Sequence, residues 1–398
     1  MLKQGSLATG IILTTLVAFG PMSTDLYLPS LPAMVADFGT TVDKAQATLS
    51  MFIVGFAAAP LVIGPLSDRF GRRPVLIAGV AIYFLASIAC AMAQTIDQLI
   101  WFRFLQGMGA SVGPVLGRAI VRDLFDRQQA ARVMSFMASA MALAPAVAPI
   151  LGGQLQAAFG WWSNFLALAV FGAIVLGLAL LAVQETNPHI DTSALRLSRI
   201  ADNMYGLLRD RRFLGYSAVV ATSFAGLFSF ISGSSFVLID VIGISEEWFG
   251  PCFTIGVLGF VTGSFTAGKL THKFSVNQLI GFGSSLGAVA GVILAGLAWS
   301  GVQTLWSVML PMPFIFFATA FCVPPATAAA IAPFPEKAGS ASALMGFIQL
   351  GTGAFVGYLV GAFHDHSARP MTSAIALMFV ICAAAFWGLV ARTRNAEA

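Results

Sequence analysis

Residues 45–96 read AQATLSMFIVGFAAAPLVIGPLSDRFGRRPVLIAGVAIYFLASIACAMAQTI. Two charge-free runs, 45–67 and 74–96, flank one charged hexapeptide, Asp68-Arg69-Phe70-Gly71-Arg72-Arg73. As a helix, each run is about 34 Å long, enough to cross a hydrocarbon core of about 30 Å. A hairpin of two spans joined by a short basic loop is therefore expected here. The same pattern extends in both directions.

Further charge-free runs cover 7–24, 98–117 (interrupted only by Arg103), 133–184, 213–239, 248–268, 274–335, 338–363 and 370–391. The run 133–184 must turn near Gly160-Trp161-Trp162, and 274–335 near Ser300-Gly301-Val302, because neither fits one span. The first span is expected to extend past Asp25 toward Asp37. The total is twelve, and backbone groups in lipid must bond within their own segment, so the spans are helices. The fold class is an all-α polytopic membrane protein of twelve transmembrane helices in two six-helix bundles. The predicted division is 1–184 and 213–398 for the bundles. A cytoplasmic linker at 185–212 carries an interfacial helix around Ala194–Ile200.

Composition excludes the main alternatives. Of 398 residues, 58% are hydrophobic and only 10% charged, against roughly 25% charged in soluble domains. No room remains for a sizeable soluble domain. The pI of about 9.0 comes from basic residues in short loops, a membrane-orientation signal and not a nucleic-acid surface. Cys90, Cys252, Cys322 and Cys382 lie singly in apolar runs, without metal or redox spacing. Met1-Leu2-Lys3 leads into a run long enough to span, so no cleaved signal is expected. Of 21 Lys and Arg residues, eighteen fall on the side that holds both termini. Lys44 and Arg369 fall opposite, and Arg103 lies within a span. The positive-inside rule then makes both termini cytoplasmic.

The halves also repeat. At an offset of 204, Gly64, Leu66, Arg69, Phe70 and Gly79 fall on Gly268, Leu270, Lys273, Phe274 and Gly283. Parallel duplication of this kind is a transporter feature.

Sorting the 17 acids by side leaves one within the membrane. Asp25 lies twelve residues before Asp37, about 18 Å deeper along a continuous helix. Folding does not require a carboxylate there. Burial disfavours its charged form and a nearby cation favours it, so a conformational change can make it bind or release a proton. Arg103 is the only expected intramembrane base, and its guanidinium stays charged. It can pair with Asp25, bond to carbonyls, or snorkel outward.

Other patterns carry less. Gly263–Lys269 mimics a phosphate loop, but Leu270 replaces the required Ser/Thr and the run ends an apolar helix. His364-Asp365-His366 does not make a metal site, and no metal or cofactor is expected. Phe224, Phe228, Ser232 and Phe236 form one stripe on span seven, either helix packing and lipid contact or the wall of a drug-sized cavity.

Gly64-Pro65-Leu66-Ser67-Asp68-Arg69-Phe70-Gly71-Arg72-Arg73 resembles the loop signature of the major facilitator superfamily. Arg103-Phe104-Leu105-Gln106-Gly107-Met108-Gly109-Ala110 is similar to its fourth-span motif. Pro145, Pro149, Gly152 and Gly153 resemble the fifth-span Pro/Gly motif of its exporters, with Ala144 and Ala148 where the fuller form has glycine. Ser23-Thr24-Asp25-Leu26-Tyr27-Leu28-Pro29-Ser30-Leu31-Pro32 is similar to the first span of the bicyclomycin and chloramphenicol/florfenicol (Bcr/CflA-like) exporters.

The resemblance implies a proton-driven multidrug antiporter of the bacterial inner membrane, working by alternating access. Its partners would be small amphipathic drugs, protons and the bilayer, with no nucleic acid, and the protein would be a monomer. The proton-motive force replaces any cofactor. Asp25 would be the proton- and drug-competing site and Arg103 its modulator. Tyr27, Phe228, Ser232 and Phe236 would line the substrate cavity. Gly64, Asp68, Arg69, Gly71, Arg72, Arg73 and Asp123 would form an inner gate, with Asp68 facing the start of span eleven near Ala338-Gly339. Val17 stands where some relatives carry a second acid, and His272 stands opposite Asp68 in the second half. A proton-coupled importer or metabolite carrier on the same fold is the alternative. A channel or a non-transporting sensor is a further one.

Overall fold

The computed structural model describes residues 7–187 and 204–391. The expected interfacial helix at Ala194–Ile200 lies outside the described residues, as do Lys3, Arg392 and Arg394. Among the described residues the chain is helical throughout, without strands. Nine helices are long and apolar enough to cross a bilayer singly. A tenth crossing is the pair Val42–Ala58 and Pro60–Phe70, bent by 40°.

The remaining two crossings are broken helices, and proline explains both breaks. Span one runs as Leu7–Val17, Phe19–Asp25, a 3-10 turn Leu28–Ser30 and Leu31–Asp37. Pro29 and Pro32 have no N–H, so the carbonyls of Asp25 and Leu28 lose their usual helical donors. The chain tightens instead, with Ser30 N donating to Tyr27 O at 2.9 Å. The break therefore follows Asp25 immediately. Span four runs as Ile96–Ala110 and Val112–Leu124, broken where Pro114 cannot donate to Ala110.

The other crossings are span three Arg72–Ala91, span five Arg127–Phe159 and span six Trp162–Ala182. Span seven, Arg211–Ser235, continues as a π-helical segment Phe236–Val241. Spans eight to twelve are Glu246–Leu270, Val276–Trp299, Leu305–Ile331, Ala338–Ala362 and Arg369–Val390. Both expected turns occur at glycines in the left-handed region, Gly160 at φ 88° and Gly301 at φ 84°.

Several charged residues assigned to loops are helical. Asp68 and Arg69 belong to the last turn of span two and Arg72 opens span three, so Gly71 alone separates the two helices. Arg118 and Arg122 fall within span four, and Arg132 within span five. Arg103 is therefore not the only base inside a helical crossing. Hydropathy ends a span at its first charge, whereas a helix continues while its backbone bonds are made and its polar side can reach water.

The described residues form two compact units. One lies within Met1–Thr40 and Met51–Leu197, the other within Thr41–Ser50 and Ser198–Ala398. The second unit thus includes the start of span two. There, Gln46 Nε2 donates to Ser232 O at 3.1 Å. Each unit repeats one contact at the matched glycines. A Cβ on Gly79 would lie 2.1 Å from Val112 of span four, and one on Gly283 would lie 2.6 Å from Phe321 of span ten. Glycine lets span three close on span four, and span nine on span ten, in the same way. All four cysteines are buried, with Cys322 and Cys382 in the apolar core of the second unit.

Candidate functional site

Asp25 ends the second segment of span one and is 4% exposed. Thr24 Oγ1 donates to its Oδ1 at 2.9 Å. Thr14, Ala18 and Met22 recur at four-residue spacing on the same side of the helix and are half-buried. This face leads from the start of span one to the carboxylate. Val17, on another face, is buried.

Arg103 is fully buried, and no ion pair joins it to Asp25 among the described residues. Of the three possibilities open in the sequence, carbonyl bonding is the one adopted. Nη2 donates to Ser23 O at 3.0 Å, and Nη1 to Gln106 Oε1 at 2.6 Å. Gln106 Nε2 donates to Ser87 Oγ at 2.8 Å, and Ser87 Oγ to Tyr83 O at 2.7 Å. Tyr83 Oη and Ser23 Oγ, 2.7 Å apart, close the ring. The guanidinium carbon lies 4.3 Å from the ring centroids of both Tyr27 and Phe52, and 5.6 Å from that of Phe165. Aromatic faces and one carbonyl thus hold a permanent cation without a carboxylate.

Glycines make this enclosure possible. A Cβ on Gly107 would lie 2.1 Å from Phe52 O, and one on Gly55 2.3 Å from Phe104 O. Spans two and four therefore touch backbone to backbone, which brings Phe52 over Arg103. In span five, a Cβ on Gly152 would lie 1.6 Å from Leu26 O, so only glycine lets span five rest on the break in span one. Asn164 Nδ2 donates to Ser30 Oγ at 2.7 Å beside it. Pro145 and Pro149 lie inside the span-five helix, and Gly153 is buried next to Gly152.

At the junction of spans two and three, Arg72 bonds Ser67 and Asp68, and its Nε reaches Asp123 Oδ2 at 3.3 Å. Arg69 lies over the Phe70 ring, and a Cβ on Gly64 would meet nothing within 4 Å. Gly71, at φ 99° and ψ 156°, occupies a region that other residues avoid. Sequence reasoning missed the partner of this junction. Glu185, just past span six, accepts from Arg72 N at 2.8 Å and Arg73 N at 3.1 Å. Arg73 in turn donates to Val183 O at 2.8 Å and Leu180 O at 3.1 Å. An anion caps the start of span three while a cation caps the end of span six, each matching the helix dipole. Desolvation pushes the Glu185 carboxyl up, but the backbone N–H groups of Asn187, Arg72, Arg73 and Thr186 together outweigh it and hold it below the ordinary 4.5.

Its stabilising contribution is therefore present above pH 4.5 and lost as pH falls through the depressed value. Glu185→Gln is expected to weaken the cap by about 1 kcal/mol. Amide exchange at Arg72 and Arg73 should speed up at neutral pH in the variant, and on acidification in the parent. Equal exchange in both proteins would remove the capping role.

Phe228, Ser232 and Phe236 are buried by packing within the second unit. Gly353 and Gly357 of span eleven approach Phe224 and Phe228, Ser232 Oγ donates to Gly357 O at 3.3 Å, and Phe236 meets the His364 ring. In this structure the stripe is a helix-packing surface, and Tyr27 belongs to the Arg103 enclosure. Gly263–Lys269 lies within the span-eight helix. Among the described residues no cluster of His, Cys, Asp or Glu is placed to hold a metal ion.

The sequence profile of the Major Facilitator Superfamily matches residues 12–358. The chain belongs to this superfamily. It is a multi-pass membrane transporter and not an enzyme. It is 33% identical over 386 residues to an uncharacterized MFS-type transporter, YdgK, of Bacillus subtilis, covering 96% of this chain and 95% of that one. It is 29% identical over 374 residues to a bicyclomycin resistance protein homolog of Haemophilus influenzae, covering 94% and 93%. In fold it is similar to a D-xylose-proton symporter, with a TM-score of 0.73 at 16% identity, covering 96% and 97% of the two chains.

Proposed function

We propose that this superfamily member is a proton-coupled antiporter of the bacterial inner membrane, with both termini cytoplasmic, that exports amphipathic drugs by alternating access. Bicyclomycin and the phenicols are the first candidates. One observation carries the proposal. Arg103 is satisfied by Ser23 O, Gln106 and two aromatic faces, which leaves the buried Asp25 carboxylate without a fixed counter-ion among the described residues. A carboxylate so placed can exchange its proton against a substrate. The direct Ser23–Arg103 bond, two residues before Asp25, lets Arg103 modulate that exchange by position. The resistance name carried by the Haemophilus influenzae relative supports export. The networks at Asp68, Arg72, Asp123 and Glu185 support a gate at the end of spans two and three.

The test uses purified full-length protein in liposomes with a pH-sensitive dye. Bicyclomycin, chloramphenicol or florfenicol added to the substrate-binding side is expected to release protons saturably. Proton movement in the same direction as the compound would establish the importer instead, and no movement with any compound would remove transport coupling.

A further inference from the structure

Arg118 lies in the inner helical segment of span four, six residues before its end at Leu124, or about 9 Å. That segment packs on spans one, two, three and five, and Leu116, Ile120 and Val121 are buried there. It leaves open one stripe at helical spacing, formed by Val115, Arg118, Ala119 and Arg122, on which both arginines are exposed. Hydrocarbon is a poor neighbour for two guanidinium groups on one helix face, so this stripe borders water. Span five carries a second wet stripe, with Arg132, Ser135 and Ser139 exposed. Both hydroxyls there donate to their own helix, to Ala131 O and Ser135 O at 2.9 Å each. The donors left for a ligand are the guanidinium groups.

Within span four, Arg103 is enclosed and Arg118 is open. Nε of Arg118 donates to Pro114 O at 2.8 Å, which orients the fork and leaves Nη1 and Nη2 without partners among the described residues. The acids nearest in this unit are otherwise engaged. Asp68 and Asp123 hold Arg72, Asp126 caps span five, and Glu185 caps span three.

We propose that Arg118 is a specificity-determining contact that seats uncharged amphipathic compounds through a group with two adjacent acceptor oxygens, such as nitro or sulfonyl, and rejects organic cations. The planar fork matches two oxygens at once. The charge of the substrate follows from Asp25. A cation would be repelled by Arg118. An anion would hold the proton on Asp25 and so oppose exchange. An uncharged compound does neither. This inference names the substrate class of the antiporter proposed above and rests on that reading.

Equilibrium binding to the full-length protein in nanodiscs tests it, because binding requires no proton gradient. Three ligands share one body: an uncharged nitrobenzoxadiazole amine, its counterpart without the nitro group, and its counterpart bearing a trimethylammonium. Arg118→Gln is expected to weaken the nitro compound about tenfold, reduce the difference between the two uncharged ligands to about twofold, and tighten the cation. Arg118→Lys should still reject the cation but lose most of the nitro preference, since an ammonium is not a fork. Equal losses for all three ligands, or no change in any, would overturn the proposal. So would an effect of Arg118→Gln that appears only with phosphatidylglycerol in the disc, which would make the residue a lipid headgroup contact. Failure of antiport itself would register separately, as absence of ligand-driven proton release by the unaltered protein.

Discussion

Asp25→Asn is expected to reduce uphill export to downhill equilibration while leaving protein levels near those of the parent. One proton entering down 100 mV supplies about 2.3 kcal/mol, which can hold nearly a fiftyfold drug gradient. Asparagine fills nearly the same volume and can still accept from Thr24 Oγ1, which donates to Asp25 Oδ1 at 2.9 Å, but it has no proton to exchange. The fiftyfold gradient should therefore collapse toward one, and ligand-driven proton release should vanish. Drug counterflow, which needs no net proton movement, should persist. Susceptibility of cells that express each form, together with dye-detected proton release from liposomes, checks both parts. Resistance equal to the parent's would remove Asp25 from the coupling role. Asp25→Glu should restore part of the proton response, because the carboxyl group survives with a longer reach.

Arg103→Ala is expected to be the most damaging substitution for stability as well as transport. It removes the donors to Ser23 O and Gln106 Oε1 and empties the space between the Tyr27 and Phe52 rings. Charge-assisted bonds of this kind contribute about 1.5–3 kcal/mol each, and a desolvated cation–π contact about 2 kcal/mol. Even after the relief from burying one charge fewer, a net loss of about 3 kcal/mol is expected. The thermal midpoint should drop, and transport should fail for every substrate. Arg103→Lys should recover little, because one ammonium cannot bond two acceptors on different spans and lie flat between two rings. A defect confined to one drug would make Arg103 a selectivity contact instead.

The two residues differ in how far the sequence could read them. Asp25 was legible because it is the one acid left in the membrane after the others are sorted by side, and depth follows from counting residues along a helix. Arg103 was legible as a cation at depth, but not its surroundings. Tyr27, Phe52 and Phe165 come from spans one, two and six, and nothing in their local spacing marks them as neighbours. The span-seven stripe shows the same limit in reverse. Its four-residue period correctly puts Phe228, Ser232 and Phe236 on one face, yet period cannot say whether that face meets a cavity or, as here, the glycines of span eleven. Arg118 was misplaced for a different reason, since a hydropathy run stops at a charge and the helix does not.

The sequence by itself determined the membrane class, the twelve crossings and the acid within them. These follow from transfer energies that act residue by residue along the chain. Tertiary structure alone decided that Arg103 is satisfied without Asp25, that Glu185 caps a helix 113 positions away in the chain, and that Gly152 seats span five on the break after Asp25. Those outcomes depend on which backbones can approach within a few ångströms of one another, a property of packed helices that no single stretch of the chain contains.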